Sequence, residues 1–271
     1  MAKTHPTCSP PWLYRSLARV RPAPLAMVAK KLLRVRRFPI RTELGVFYVD
    51  PVSQLGLTVL RGDEYEPDTI RIMCILLRKG CVFCDIGANE GYFSVIASKL
   101  IGPTGKVYAV EPQRRLDPVF QQNMRLNNCQ NVTLLQCAIT DQVGQSYIYL
   151  SPNTNTGSSG LRRATKYWNP KQLVETLTLE ELIERNAISH VDLMKLDIEG
   201  YEYEAILGST HVLKEGVIEA IALELHPSLI RARRLDPHDI GRVLTSCGYT
   251  IDSRLASVAP VWTRSRQPDN A

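Results

Sequence analysis

Five residues in the second half of the chain have the types and spacing for proton chemistry. The stretch "HVDLMKLDIEG" presents Lys195, Asp197 and Glu199 within five residues, and "ELH" presents Glu224 and His226 further on. If both stretches end strands, the two-residue period puts Lys195 and Asp197 on one face and Glu224 and His226 on one face. Gly200 lets the chain break away there, so that Glu199 can turn into the adjoining cleft. Three carboxylates and a histidine on one rim can act as general base, as acceptors that orient a hydroxyl, or as ligands of a divalent cation. The plainer account makes Lys195 an ion-pair partner of Asp197 or Glu199 and His226 a structural strand-end residue; the company His226 keeps weighs evenly against that account.

A second constellation lies upstream, in "VFCDIGANEGYFS" followed by "KVYAVEP". A dinucleotide-binding turn needs glycines at the positions of Gly87, Asn89 and Tyr92, and only the first is present. Tyr92 would obstruct the close helix approach, and Asn89 would crowd the backbone where a pyrophosphate must come near. Asp85 stands just before the turn, where it repels a pyrophosphate and attracts ammonium and sulfonium groups. That favours S-adenosylmethionine over NAD. Glu111, ending the next strand, is then placed to accept hydrogen bonds from two ribose hydroxyls. Singly, Asp85 could be a turn cap and Glu111 a solvated strand end; together at this spacing they point to a cofactor.

The elements that must position these residues alternate. "GVFYVDP" reads as an edge strand, and "DEYEPDTIRIMCILLRKG" as a helix with Pro67 near its start and Gly80 as its C-cap. "VFCDI" and "KVYAVE" read as buried strands around a helix from Gly91 to Ile101. Asp117 and Pro118 form an N-cap and N1 pair opening a helix that runs to Asn127 and Asn128. "NVTLLQCAI" reads as one strand, "SYIYL" as part of a hairpin, and "TLEELIERN" as a helix with Thr178 as cap and Glu181 completing a capping box. Further strands follow in "HVDLMKLDIEG", which includes its exit loop, and "VIEAIALELH", with helices from Tyr201 and from about His238 to Cys247, then two short final strands. This order implies a mostly parallel sheet with helices on both faces and an antiparallel edge strand.

"FCDIGANEGYFS", "VYAVEP" and "VDLMKLDIEGYEYEAILG" together resemble the FkbM-type family of class I S-adenosylmethionine-dependent methyltransferases, over about residues 43 to 262. The resemblance implies a Rossmann-like fold with a seven-stranded sheet. It implies that Asp85, Gly87, Asn89 and Gly91 form the methionine-binding turn, that Glu111 clamps the ribose, and that Ala138 and Ile139 lie at the adenine edge. It also implies O-methylation of a sugar or other polyhydroxylated small molecule or glycan. Glu90 departs from the family pattern, which often has an apolar residue there. Methyl transfer from a sulfonium is an in-line displacement that needs the nucleophile held at ~3 Å and its proton removed. Asp197 or His226 is the favoured base and Glu199 the orienter, with Lys195 and Glu224 beside them; a divalent cation is possible at these carboxylates but no metal is predicted.

Composition sets the remaining bounds. A hydrophobic fraction of 44% and a charged fraction of 22% fit an ordinary globular chain, which excludes the low-complexity classes. The net charge of +6 is unevenly placed: residues 1–42 carry ten Lys or Arg and no acid, leaving 23 basic against 27 acidic residues from 43 onward. Residues 1–42 therefore read as a Pro-rich basic leader and 43–271 as a single domain, with a substrate loop at 151–170 rich in Asn, Ser, Arg, Tyr167 and Trp168. Within the leader, Leu25, Val28, Ala29 and Leu32 share a helical face opposite Lys30, Lys31, Arg34 and Arg37. Packing on the domain, contact of residues 25–38 with an anionic membrane, and an organellar transit role are the three readings. Seven irregularly spaced cysteines do not form a disulfide framework, and Cys81 and Cys84 face opposite sides of a strand, so a reducing, cytoplasmic setting is expected. No window holds the roughly 18 apolar residues of a spanning helix. Specific nucleic-acid modification is disfavoured, because "KLDIEG" replaces the Pro-Pro-aromatic turn used for exocyclic amines. An NAD-dependent oxidoreductase and a catalytically inactive cofactor-binding interaction protein are the rival readings.

Overall fold

The computed structural model describes residues 14, 16, 32–151, 160–161, 170–255 and 260–264. The chain first forms a two-stranded antiparallel ribbon, β1 (Phe38–Arg41) and β2 (Val46–Val49). The ribbon stands apart from the main sheet, so "GVFYVDP" is not an edge strand of that sheet. Its free edge is satisfied by side chains: Asn127 Oδ1 accepts the Val46 N–H at 2.9 Å and Asn123 Oδ1 the Tyr48 N–H at 2.6 Å. The expected leader boundary at residue 42 thus falls inside a hydrogen-bonded unit. Of the proposed amphipathic helix, residues 25–31 lie outside the described residues, and Phe38 belongs to β1 because its backbone pairs with Val49.

Helices α1 (Gln54–Leu60) and α2 (Pro67–Leu76) follow. Pro67 opens α2 as expected, but Leu77 caps it, and Gly80 lies beyond with its N–H on the Ile101 carbonyl. Then come β3 (Val82–Ile86), α3 (Tyr92–Ile101), β4 (Lys106–Val110), α4 (Asp117–Leu126) and β5 (Val132–Leu135). A short 3-10 turn, Arg114–Leu116, runs into α4, which makes Leu116 the cap and Asp117 the first helical residue. The expected third strand is divided: β6 (Cys137–Ile139) leaves the main sheet and joins β7 (Gly144–Tyr149) and β8 (Lys171–Leu177) in a small sheet of order β6-β8-β7.

The second half supplies α5 (Leu179–Arg185), β9 (Leu193–Leu196), α6 (Glu202–Leu207), α7 (Thr210–Glu215), β10 (Ala220–Leu223), α8 (Pro227–Arg231), α9 (His238–Ser246), β11 (Tyr249–Ile251) and β12 (Val261–Arg264). Thr178 caps α5 by accepting the Glu181 N–H at 3.1 Å, while the Glu181 side chain pairs forward with Arg185, so the capping box is half formed.

The main sheet has the order β11-β12-β10-β9-β3-β4-β5. The pairs from β5 to β10 are parallel, and β12 runs antiparallel to both β10 and β11. The antiparallel strand is therefore second from the edge, inserted by the last hairpin, and not the edge itself. Alternate residues divide between two cores. Cys84, Ile86, Met194 and Ile221 pack with Leu182, Ile206, Leu213 and Leu244 on one face. Phe83, Val107, Leu193 and Ala220 pack with Met73, Val95, Ile96 and Phe120 on the other. Strand order reverses between β3 and β9, and an open α/β sheet leaves its ligand crevice at the carboxyl ends of the strands flanking such a point.

Candidate active site

At that crevice lies a cavity of about 340 Å³, within the range of small-molecule sites. Its wall is made by the turn after β3, the ends of β4, β9 and β10, and β6 of the small sheet. Of the expected cofactor residues, Gly87, Asn89, Glu111, Ala138 and Ile139 line it. Asp85 and Gly91 do not. Asp85 is fully buried beneath the turn, where Ser94 Oγ donates to its Oδ2 at 2.6 Å. Burial raises its pKa against the pull of the neighbouring Lys195 and of Ser94. Gly91 answers to packing: a Cβ there would stand 2.8 Å from the Phe120 ring, at φ +81°.

Gly87 holds the turn against β9, since its φ is +92° and a Cβ would come within 1.9 Å of the Asp197 carbonyl oxygen. The N–H groups of the turn are used internally. Gly87 and Ala88 both donate to the Val110 carbonyl at 2.9 Å, Gly91 donates to Ala88, and Asn89 donates to Glu111 Oε2 at 2.9 Å. A pyrophosphate would need such groups turned outward. Glu111 also accepts the Gln113 N–H at 2.8 Å, yet burial pushes its pKa up to about 7. Glu66, Glu90, Glu111, Asp197, Glu199 and Glu224 all line the cavity, against Lys195 as the basic group. This donor set suits a cofactor that carries sulfonium and ammonium charges.

The other end of the cavity is built from the loop after β9. Lys195 is buried, with Nζ 2.7 Å from Asp197 Oδ2 and over the Phe93 ring. Burial alone would lower its pKa, but Asp197, Glu66 and Asp85 outweigh burial and raise it. Glu199 adopts a left-handed conformation, φ 54°, followed by Gly200 at φ +94°. Two anchors hold this bend. Glu202 Oε1 accepts the N–H groups of Ile198 and Gly200 at 3.1 and 3.0 Å, and Arg233 donates to the Gly200 carbonyl while stacking over Tyr201.

His226 begins α8 just past β10 and lies outside the cavity lining. Its Nδ1–H donates to Glu202 Oε1 at 2.9 Å, and its Nε2 stands 3.7 Å from Glu199 and 4.0 Å from Asp197. The Glu202 bond raises its pKa to about 9, so the ring is cationic at neutral pH. Glu199 moves the other way from a simple ion pair: burial outweighs His226 and pushes the carboxyl up to about 7. Burial and Asp197 also raise Glu224. Of the two bases expected from sequence, Asp197 is held by Lys195 and His226 already carries its proton.

Sequence reasoning missed Glu202 and Glu66. Glu202 carried a legible signal, an acid two residues after a glycine at a helix start, where it can collect free N–H groups. Glu66 holds φ 48° directly before Pro67, a strained choice at a cavity wall. One ligand atom each of Glu66, Asp197 and Glu224 lies within 4.8 Å of the others, an oxygen set of the kind hard cations take. Lys195 already supplies a positive charge to the middle member. Of the loop expected at 151–170, residues 152–159 and 162–169, with all its named polar and aromatic side chains, lie outside the described residues; Gly160 and Leu161 line the cavity.

A sheet of this order, with the last hairpin inserted as an antiparallel strand, is the Rossmann-like arrangement of class I methyltransferases. The family model for the methyltransferase FkbM domain matches residues 85–251. The chain belongs to the FkbM methyltransferase family. The hexuronic acid methyltransferase AglP of Haloferax volcanii is 24% identical over 201 residues, 73% of this chain and 75% of that protein. A protein-L-isoaspartate O-methyltransferase of Methanosarcina mazei is 32% identical over 113 residues, 40% of this chain and 45% of that protein. An FkbM methyltransferase structure from Methylobacillus flagellatus aligns at 15% identity and TM-score 0.47, covering 92% of this chain and 57% of that one. Among the described residues no helix is long and apolar enough to cross a membrane.

Proposed function

We propose that the protein O-methylates a hydroxyl of a polyhydroxylated, sugar-like acceptor, with Glu199 as general base. The observation that carries this reading is the Glu199 carboxyl: it lines the cavity, is half-buried, and is pushed up to about 7, where a general base works at neutral pH. His226, kept cationic by Glu202, restrains Glu199 at 3.7 Å and offsets the charge it holds. Asp197 and Glu224 orient the acceptor hydroxyl, and Lys195 fixes Asp197. S-adenosylmethionine supplies an electrophilic methyl group on a sulfonium. On the cofactor side Glu111 meets the ribose hydroxyls, and Ala138 and Ile139 give an apolar surface for the adenine edge. Asp85 acts from below the turn, holding Ser94 at the start of α3.

Relationship to a hexuronic acid methyltransferase supports a sugar acceptor. The six carboxylates around the cavity favour an uncharged acceptor over a uronate, which they would repel. Tyr65 and Tyr201 at the same wall offer rings on which a sugar face can pack. The match to an isoaspartate methyltransferase spans less than half of either chain and adds nothing on the acceptor. The test is transfer of labelled methyl from S-adenosylmethionine to matched neutral glycosides, uronates and isoaspartyl peptide. Methyl ether formation on the neutral glycosides is expected; methyl ester formation on the uronates or the peptide would refute the reading.

A further inference from the structure

The cofactor turn is held from outside by groups that precede the family match. Arg37, one residue before β1, places Nη2 2.5 Å from Glu90 Oε1, and the Glu90 side chain is 3% exposed. Arg37 Nη1 and Glu90 Oε2 are both enclosed without a hydrogen-bond partner, so the pair is joined through one contact. Glu90 lines the cavity. It sits between Asn89, whose N–H rests on Glu111, and Gly91, which starts α3. Asn123 adds a second tie, donating to the Glu90 carbonyl at 2.7 Å while accepting from Tyr48 of β2. The N-terminal ribbon is therefore fastened to both the side chain and the carbonyl of one residue in the cofactor turn.

We propose that Arg37 is a positioning residue for the cofactor turn: it holds Glu90 inward, which keeps the Asn89 peptide on Glu111, so that cofactor affinity depends on a residue outside the methyltransferase match. The proposal rests on the cofactor assignment above. The physical ground is an asymmetry in burial. Without the guanidinium, Glu90 becomes an enclosed carboxylate that has lost its hydrogen-bonded counter-charge and keeps Arg115 as a charge nearby, a costly state that it escapes by swinging out to water and drawing the turn with it. Without the carboxylate, Arg37, whose side chain is 16% exposed, can reach solvent instead.

The experiment is calorimetric titration of the full chain with S-adenosylhomocysteine, together with melting temperatures and KM and kcat. The variants are Arg37→Gln, Arg37→Lys, Glu90→Gln and Arg37→Gln/Glu90→Gln. Arg37→Gln should bind about tenfold more weakly than the parent or worse, Arg37→Lys should stay within about threefold of the parent, and the double variant should stay within about threefold of Glu90→Gln, whose own affinity reports what the carboxylate gives the cofactor directly. The KM for S-adenosylmethionine should rise in Arg37→Gln with kcat little changed. Parent affinity in Arg37→Gln, or a double variant tenfold weaker than Glu90→Gln, overturns the proposal. If Arg37→Gln does not fold, Arg37→Lys against the parent and the double variant against Glu90→Gln decide it by the same threefold and tenfold limits. A parent protein that fails to bind S-adenosylhomocysteine would instead sink the cofactor assignment.

Discussion

Replacing Glu202 by Gln should flatten the alkaline limb of the protein's stability curve. The substitution keeps an acceptor for the Ile198 and Gly200 N–H groups and for His226, but removes the charge that first raises the His226 pKa. In the parent that pKa stands at about 9 against 6.5 for the free side chain. At 1.36 kcal/mol per unit this is ~3 kcal/mol, and partial exposure reduces it to roughly 2–3 kcal/mol. The folded state binds the proton more tightly, so this stabilisation is complete below pH 6.5 and is lost as pH rises through 9. Glu199 and Glu111, each raised from 4.5 to about 7, lose their own contributions earlier, between pH 4.5 and 7. The buried thiols Cys84 and Cys137, raised from 9.0 to about 12, lose theirs later. Between pH 7 and 9 the part of the slope that depends on Glu202 therefore reports His226. Urea unfolding across this interval should show the parent losing about 2 kcal/mol and Glu202→Gln less than about 1 kcal/mol. Equal slopes, or an NMR titration of parent His226 with a midpoint below 7, would refute the reasoning.

Three further outcomes are expected. Glu199→Gln should lower kcat by about 10²–10⁴ with S-adenosylhomocysteine affinity within threefold, and parent kcat/KM should rise with pH to a plateau above about 7, a limb the variant lacks. Glu111→Gln keeps one carbonyl acceptor, turns an NH2 donor toward the other of the Asn89 and Gln113 N–H groups and loses the charge offered to the ribose, and calorimetry should show S-adenosylhomocysteine binding weakened by roughly tenfold or more. Gly87→Ala forces a Cβ to within 1.9 Å of the Asp197 carbonyl at φ +92°, and chemical denaturation should register a loss of about 3 kcal/mol or failure to fold.

Legibility from the sequence followed distance along the chain. The turn from Asp85 to Gly91 was readable because glycine spacing, Tyr92 and the strand before it are local constraints. Thr178 as a cap and Pro67 as a helix opener were readable for the same reason. The division of "NVTLLQCAI" was not, because Leu135 and Cys137 are equally apolar and only pairing with β8 draws the second half into another sheet. Arg37 read as the solvated face of a helix because its partner, Glu90, lies 53 residues on. His226 read as a base because the residue that sets its charge, Glu202, is 24 positions away and packs against it only once β9, α6 and β10 are assembled.

The sequence by itself determined the class of fold, an acidic turn that suits a sulfonium better than a pyrophosphate, and the stretches from which the candidate site is made. Each of these rests on residue types within one turn or one strand, where bond geometry and local charge leave few choices. Tertiary structure decided what each of those groups can do. It sank Asp85 below the turn and tied Asp197 to Lys195. It made His226 a cation and left Glu199 half-buried with a pKa near neutrality. Protonation and reach depend on burial and on partners from distant segments, and neither exists until the sheet has brought those segments together.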